Sequence, residues 1–441
     1  MSRPAAQSLR HALQRQGLRS FEIAPTSVEV LATPCDFYDS LLTACRGARS
    51  RISLSALYWG TGALEQDLAA AVEGAMAARD AKVTVVLDAA RARRADGAGR
   101  TSVSTLARVA DRGAAVRLFE TPRLGGAALQ RALDCAPRPL RGLVNEILGV
   151  HHVKVFAVDD AVVLSSANLS DEYFSTRRDR CVVVRDARVA AWHHDLVAIL
   201  ADADADYAAL AARLARHCRR PGPEPPRRAA PRAAKVGPRS ARWTREKARS
   251  VLVPTMQLGS AGLDLESKAL AAVLEPRGFD ALGLATAYVN PPEDVAAALA
   301  ASDAPVDVLV PSAETHGFGS ATGAKRAVPL GHAACARDLA ARLGPAGRLR
   351  EWAGPGTFHG KGVWLFEEGR VGATVLGSSN FNARSRDRDL ELGAVLLPRD
   401  AGLGRALAAE WRALAADARA PDAAAPPWWL GPLRPLLRPF L

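Results

Sequence analysis

Two short stretches of the chain carry side chains able to act on a phosphate ester: "HHVKVFAVDDAVVLSSANLS" at 151–170 and "FHGKGVWLFEEGRVGATVLGSSNFN" at 358–382. Each sets a His and a Lys two residues apart, His152 with Lys154 and His359 with Lys361, and an Asn follows on the return, Asn168 and Asn380. With nine His among 441 residues and Lys far rarer than Arg, chance supplies well under one His-x-Lys pair. In an extended chain residues i and i+2 share a face, so each imidazole projects beside its ammonium. Eleven residues after each Asn stands an acid, Asp179 and Glu391. A carboxylate there can hold one imidazole nitrogen, fix the tautomer and raise the basicity of the other nitrogen.

Such a set suits phosphoryl chemistry without a metal or other cofactor, because Lys and Asn can grip non-bridging oxygens as fixed donors. One imidazole must be neutral to attack phosphorus and the other protonated to release the leaving oxygen. The first product is a phosphohistidine, which a second nucleophile resolves. The symmetry of the two motifs leaves the roles of the two His assignable either way.

Elements must bring these groups together. Val153 to Val158, a turn at Asp159-Asp160 and Val162 to Leu164 read as a β-hairpin. Further strands are expected at 51–58, 82–89, 114–120 and 180–186, and in the second half at 281–289, 305–312 and 390–398. Ala- and Leu-rich helical stretches lie between them. Strands alternating with helices imply a layered α/β sheet in each half, and the order recurs as a duplicated unit. The expected division is a basic tail or mitochondrial (or plastid) transit peptide at 1–25, domains at 26–217 and 250–441, and a Pro/Arg-rich linker at 218–249.

The net charge of +12 is concentrated in places: residues 219–249 carry +9 and residues 1–21 carry +4. The remainder is near neutral, which argues against a nucleic-acid face on the core. Cys35, Cys45, Cys135, Cys181, Cys218 and Cys335 form no CxxC pair, so reduced thiols are expected rather than a zinc or disulfide framework. No apolar run is long enough to span a bilayer, which limits membrane contact to one side.

The first motif resembles the HxKxxxxD signature of the phospholipase D superfamily, met in full by His152, Lys154 and Asp159. The second keeps His359 and Lys361 but has Phe366 where the supporting carboxylate would stand. "SALYWGTGALEQDL", "VLDAAR", "FETPRL", "SSANLSDEYFSTRRDR", "EWAGPGTFHGKGVWLF" and "GSSNFNARSRDRDLE" are similar to the eukaryotic phosphatidylglycerophosphate synthases of that superfamily. The resemblance implies two tandem α/β/α domains related by a pseudo-two-fold axis, with the site at their interface. It implies transfer of a phosphatidyl group from CDP-diacylglycerol to glycerol 3-phosphate with release of CMP, at the mitochondrial inner membrane, on the route to cardiolipin. His152 would be the nucleophile and His359 the acid and then the base, or the reverse. Lys154, Lys361, Asn168 and Asn380 would bind the reacting phosphate, with Ser166 and Ser379 as further candidates, and Asp179 and Glu391 would orient the imidazoles. Arg91, Arg94 and Arg384 are candidates for the acceptor's own phosphate.

"HGFGSATGAKR" (316–326) fails the Walker pattern and reads as a Gly-rich loop bordering the site, with a nucleotide role open to it. "GTGALE" (60–65) reads as a turn whose helix N–H groups could meet an anion. The segments 124–148 and 426–441 could touch a membrane surface or pack as lid and loop. Rival functions are a cardiolipin synthase, a phospholipase D hydrolase, a nucleic-acid phosphodiesterase and a non-enzymatic scaffold.

Overall fold

Val- and Ile-rich segments with almost no exposed residue can only be strands covered on both faces, and here they build two sheets. The structure, a computed structural model, describes residues 5–121, 149–204, 206–219, 249–275, 277–319 and 327–422. Strands are β1 (Phe21–Ile23), β2 (Val28–Leu31), β3 (Arg51–Ala56), β4 (Lys82–Asp88), β5 (Ala115–Phe119), β6 (Val155–Val158), β7 (Ala161–Ser165), β8 (Arg177–Arg178) and β9 (Cys181–Arg185). The second half adds β10 (Ser250–Leu258), β11 (Leu263–Asp264), β12 (Ala281–Ala285), β13 (Val306–Pro311), β14 (Arg348–Trp352), β15 (Thr357–Phe358), β16 (Gly362–Glu367), β17 (Arg370–Gly377), β18 (Glu391–Leu397) and β19 (Ala418–Arg419).

The first sheet runs β2-β9-β7-β6-β3-β4-β5, and the second contains β10-β18-β17-β16-β12-β13-β14, the same order element for element. In each, the parallel pairs are those of the last three strands, β3-β4-β5 and β12-β13-β14. The following helices also correspond. Asp186 caps Ala187–Ala201 after β9, and Asp400 caps Ala401–Ala416 after β18, each carboxylate accepting from two backbone N–H groups. The expected layered α/β architecture is therefore what the chain shows. One apolar cluster joins the two sheets and includes Leu196 and Val197 of the helix after β9, Val155 and Val182 of the first sheet, and Val253 and Leu396 of the second. A second lies under helices Pro34–Gly47 and Ala63–Arg79 on the first sheet.

The halves are pinned by a buried ion pair. Arg180 reaches Glu410 at 2.8 Å, donates to the Val375 carbonyl at 2.7 Å and to Thr374 Oγ1 at 2.9 Å, and lies 4.0 Å from the Trp364 ring centroid.

The amino-terminal expectation needs correction. Residues 5–15 form a helix that buries Leu9 and Leu13, and β1 pairs antiparallel with β10 at the edge of the second sheet. The Ala5 N–H donates to Glu367 Oε1 at 3.1 Å, and the Gln16 amide donates to the Lys268 carbonyl at 3.0 Å. Residues 5–23 are thus no disordered tail: their apolar side chains pack on the carboxy-terminal half, and β1, which lies before the boundary expected at residue 26, joins the second sheet. The linker at 220–248, the segment at 124–148 and the end at 426–441 lie outside the described residues. Among the described residues no helix is long and apolar enough to cross a membrane.

Candidate active site

The two hairpins β6-β7 and β16-β17 end at the junction of the sheets, and each His is held by the opposite half. His152 N–H donates to the Leu390 carbonyl at 2.9 Å, and His359 N–H donates to the Arg178 carbonyl at 2.7 Å. The parallel ladder β8-β15 fixes the second of these contacts. In both cases the accepting residue immediately precedes the acid that stands eleven residues after an Asn. The acids cross over accordingly. His152 Nδ1 lies 3.0 and 2.9 Å from the two Glu391 oxygens, and His359 Nδ1 lies 2.7 Å from Asp179 Oδ2. A carboxylate only accepts, so each ring carries its proton on Nδ1 and presents a lone pair at Nε2.

Beyond the acids the surroundings diverge. Tyr173 Oη stands 3.2 Å from His359 Nε2 and receives the Asn168 amide at 3.1 Å, so Asn168 donates to Tyr173 and Tyr173 donates to the imidazole. Burial holds the Tyr173 phenol far above its ordinary value, which keeps the donor protonated. His152 Nε2 meets no group among the described residues. The residue five after Asn380 is Ser385, whose hydroxyl bonds the Asn380 N–H at 3.2 Å instead.

Burial, then the Lys361 ammonium, pushes His359 down to about 3 against the pull of Asp179. His152 is pushed well below its ordinary value by burial, Lys154 and Lys361. Burial pushes Asp179 up, but His359, Lys361 and the Ser166 hydroxyl together outweigh it and leave the carboxyl below the usual range. Glu391 is raised by burial against the pull of Lys154 and the Ser378 hydroxyl. Both ammonium groups are lowered by burial, Lys361 to about 8, and each depresses Lys154 or His152 further. Two buried ammonium groups therefore stand beside two neutral imidazoles and the Asp179 and Glu391 carboxyls, and an anion would favour the charged forms of the lysines.

Of the phosphate-binding and supporting candidates, Lys154, Lys361, Asn168, Asn380 and Glu391 are buried at this junction, and the side chain of Asp179 is enclosed there as well. Asn380 Oδ1 is a buried acceptor with no partner among the described residues. Ser166 Oγ donates to Asp179 at 2.6 Å, which makes it a brace for the acid. Ser379 is turned elsewhere. Its hydroxyl accepts from the Phe381 N–H at 3.1 Å and touches buried Glu266, whose carboxyl burial raises to about 8.

Asp159 does not belong with the catalytic set. It occupies the β6-β7 turn at the other end of the strand, where it accepts from the N–H groups of Arg49, Ser50 and Arg51 at 2.8, 2.9 and 3.1 Å. In the second half the same joint is closed from the other side: Asp280, just before β12, accepts from the Glu368 N–H of the β16-β17 turn at 2.6 Å. Phe366 can therefore replace the signature Asp, because a different carboxylate ties turn to strand.

The arginine candidates separate. Arg91 lies over the Tyr58 ring at 5.4 Å, Arg384 pairs with Asp389 at 3.1 Å, and Arg94 is exposed. Arg177, absent from the sequence reading, is mostly buried, holds the Tyr173 ring at 4.7 Å from its guanidinium and reaches Glu172 at 2.5 Å. Tyr173 and Arg177 both sit inside "SSANLSDEYFSTRRDR", so their signal was the segment rather than the motif. The anion expected at "GTGALE" is a side chain: Leu64 N–H donates to Asp171 Oδ1 at 3.3 Å, and a Cβ at Gly62 would collide with that carboxylate.

No family model matches the chain. The human protein named mitochondrial CDP-diacylglycerol–glycerol-3-phosphate 3-phosphatidyltransferase is 28% identical over 434 residues, 88% of this chain and 77% of that protein. The Cricetulus griseus protein of the same name is 29% identical, covering 84% of this chain and 74% of its own length. The crystal structure of phosphatidylserine synthase from Haemophilus influenzae Rd KW20 superposes with a TM-score of 0.67 at 19% identity, covering 93% of this chain and 91% of that one, and so shares the fold. Over most of its length the chain is similar to proteins named CDP-diacylglycerol–glycerol-3-phosphate 3-phosphatidyltransferase.

Proposed function

We propose that the protein transfers a phosphatidyl group from CDP-diacylglycerol to glycerol 3-phosphate, releasing CMP, through a phosphohistidine on His152. The observation that supports the reading is the crossed pair of His-carboxylate contacts, in which the imidazole of each hairpin hands Nδ1–H to the acid of the opposite half. The unoccupied Nε2 of His152 supports its role as nucleophile, and the Tyr173 hydroxyl at His359 Nε2 marks a position for an exchangeable proton.

In the first step His152 Nε2 forms a bond to the phosphorus of the lipid phosphate while the bond to the CMP oxygen breaks. The CMP oxygen takes a proton from His359. The pyrophosphate supplies the negative charge that lifts His359 from its depressed value so that it can hold that proton. In the second step His359 takes the proton of the glycerol 3-phosphate hydroxyl, whose oxygen displaces His152 from phosphorus. Lys154, Lys361 and Asn380 hold the non-bridging oxygens, and Asp179 and Glu391 stabilise the imidazolium forms. Arg91 is the candidate cation for the acceptor phosphate. The protein acts peripherally at the membrane that supplies its lipid, as two tandem domains (26–217 and 250–441) around one site, and the mitochondrial location of the named relatives extends to it.

Incubation of the purified protein with labelled CDP-diacylglycerol and a panel of acceptors tests the reading. Phosphatidylglycerophosphate and CMP formed in dependence on glycerol 3-phosphate support it. Phosphatidic acid and CMP released whatever the acceptor would replace it with a hydrolase.

A further inference from the structure

Next to His359 lies a group of rings that the phosphoryl chemistry leaves unused. The Tyr288 ring meets His359 edge-on with centroids 6.0 Å apart, and it also meets His316 at 5.4 Å, His332 at 5.4 Å and Phe318 at 6.1 Å. His316 and Phe318 open the Gly-rich stretch singled out in the sequence. His316 Nδ1 accepts the Phe318 N–H at 3.0 Å, so the ring proton is on Nε2. That Nε2–H is buried with no partner among the described residues, on a residue only 4% exposed. Burial, with His332 and Arg177 adding to it, pushes the imidazole down to about 3, so it stays neutral. Phe318 is 37% exposed, a large apolar ring facing solvent. Between them Gly317 leaves room for a close approach: a Cβ there would stand 2.8 Å from the Tyr288 hydroxyl and 4.0 Å from the Arg177 guanidinium.

We propose that Tyr288, His316 and Phe318 bind the pyrimidine base of the leaving nucleotide, with the His316 Nε2–H donating to a ring acceptor and Arg177 facing the nucleotide phosphate. The inference rests on the reading of CDP-diacylglycerol as substrate and adds where its nucleotide lies. A buried donor without an acceptor destabilises the empty protein, and a ligand atom that accepts from it removes that penalty. Aromatic faces beside a cation form a platform on which a base stacks. Glycerol 3-phosphate offers neither a π face nor a ring acceptor, so it leaves this cluster unmatched. A base held against Tyr288 puts the phosphorus–CMP oxygen bond on the His359 side, which makes His359 the proton donor to CMP and leaves His152 to attack from the opposite direction.

The test compares His316→Phe and Phe318→Ala with the wild-type full chain, using CMP and the base-free probe ribose 5-phosphate as inhibitors competing with CDP-diacylglycerol. Loss of one hydrogen bond or one stacking face raises the CMP inhibition constant about tenfold. The ribose 5-phosphate constant and the KM for glycerol 3-phosphate are expected to stay within about twofold. Phe318→Ala alters an exposed ring and keeps the test valid should His316→Phe fold poorly. A CMP constant unchanged in Phe318→Ala, or equal weakening of CMP, ribose 5-phosphate and glycerol 3-phosphate, overturns the base site. If wild-type protein turns over CDP-diacylglycerol, that failure concerns the base site alone. If it releases no CMP at all, the functional reading falls and the base site with it.

Discussion

The same hairpin, used twice, ends in two unlike imidazoles. Both are anchored by backbone to the opposite half and both hand Nδ1–H to that half's acid. The differences begin five and nine residues after each Asn. At the first offset Tyr173 answers Ser385, and at the second Arg177 answers Asp389. The tyrosine bonds His359 and the arginine lies over that tyrosine, whereas Ser385 turns to its own backbone and Asp389 binds the Val150 N–H at 2.9 Å. The comparison teaches that duplication sets the frame, through strands and crossed carboxylates, while a few residues behind each motif decide which imidazole attacks and which carries the proton.

The largest blow to that frame is expected at the joint between the halves. Arg180→Ala leaves Glu410 buried without its cationic partner, a loss of about 3–5 kcal/mol that urea unfolding should register; an unchanged midpoint would mean that the ion pair adds nothing to the joint. Removing the orienting charges should affect both imidazoles. Glu391→Gln and Asp179→Asn are each expected to lower kcat/KM about 100-fold with the Tm little changed. A fall for one and not the other would show that the crossed pairs are unequal in function as well as in surroundings.

A third test uses pH. His151, His193, His332 and His359 are held, chiefly by burial, at about 3, 4, 4 and 3. Below the unfolded value of about 6.5, the unfolded chain takes up protons that the folded one refuses. Stability is therefore lost as pH falls from about 6.5 toward 4, by up to about 1.4 kcal/mol per pH unit for each group. Denaturant midpoints at pH 7 and pH 5 should differ sharply; a flat profile would show that these rings are hydrated. The smallest effect is expected for Tyr173→Phe, which removes one donor from His359 and should lower kcat/KM about fivefold. A loss of a thousandfold would make Tyr173 itself a proton carrier.

Much of this was legible in the residues, because the informative signals were local. Apolar runs located most strands of both sheets, though β10 (Ser250–Leu258) and β14 (Arg348–Trp352) were not expected, and the His-x-Lys spacing with its Asn and acid offsets named the groups discussed at the site. What the sequence concealed depends on tertiary contact. That Asp179 serves His359 and Glu391 serves His152 follows from how the sheets face each other, and no spacing within one half encodes it. Ser379 shares its motif with Asn380, yet adjacent residues on an extended chain point to opposite sides, and its hydroxyl went to Glu266. The basic composition of the amino terminus gave no sign that Leu9, Leu13, Phe21 and Ile23 are buried in the apolar cluster that joins the two sheets. The short edge strands β1 and β2 escaped notice for a similar reason, since three or four residues carry too little periodicity.

The central claim is that two imidazoles from different halves share one phosphorus atom, with His152 attacking and His359 moving the proton. Rapid quenching after addition of CDP-diacylglycerol labelled in the lipid phosphate, followed by peptide mapping, tests it most directly. The account predicts label on His152 in the wild type, no label in His152→Ala, and label retained on His152 when glycerol 3-phosphate is added to His359→Ala. Label found on His359, or turnover by His152→Ala near the wild-type rate, would contradict it.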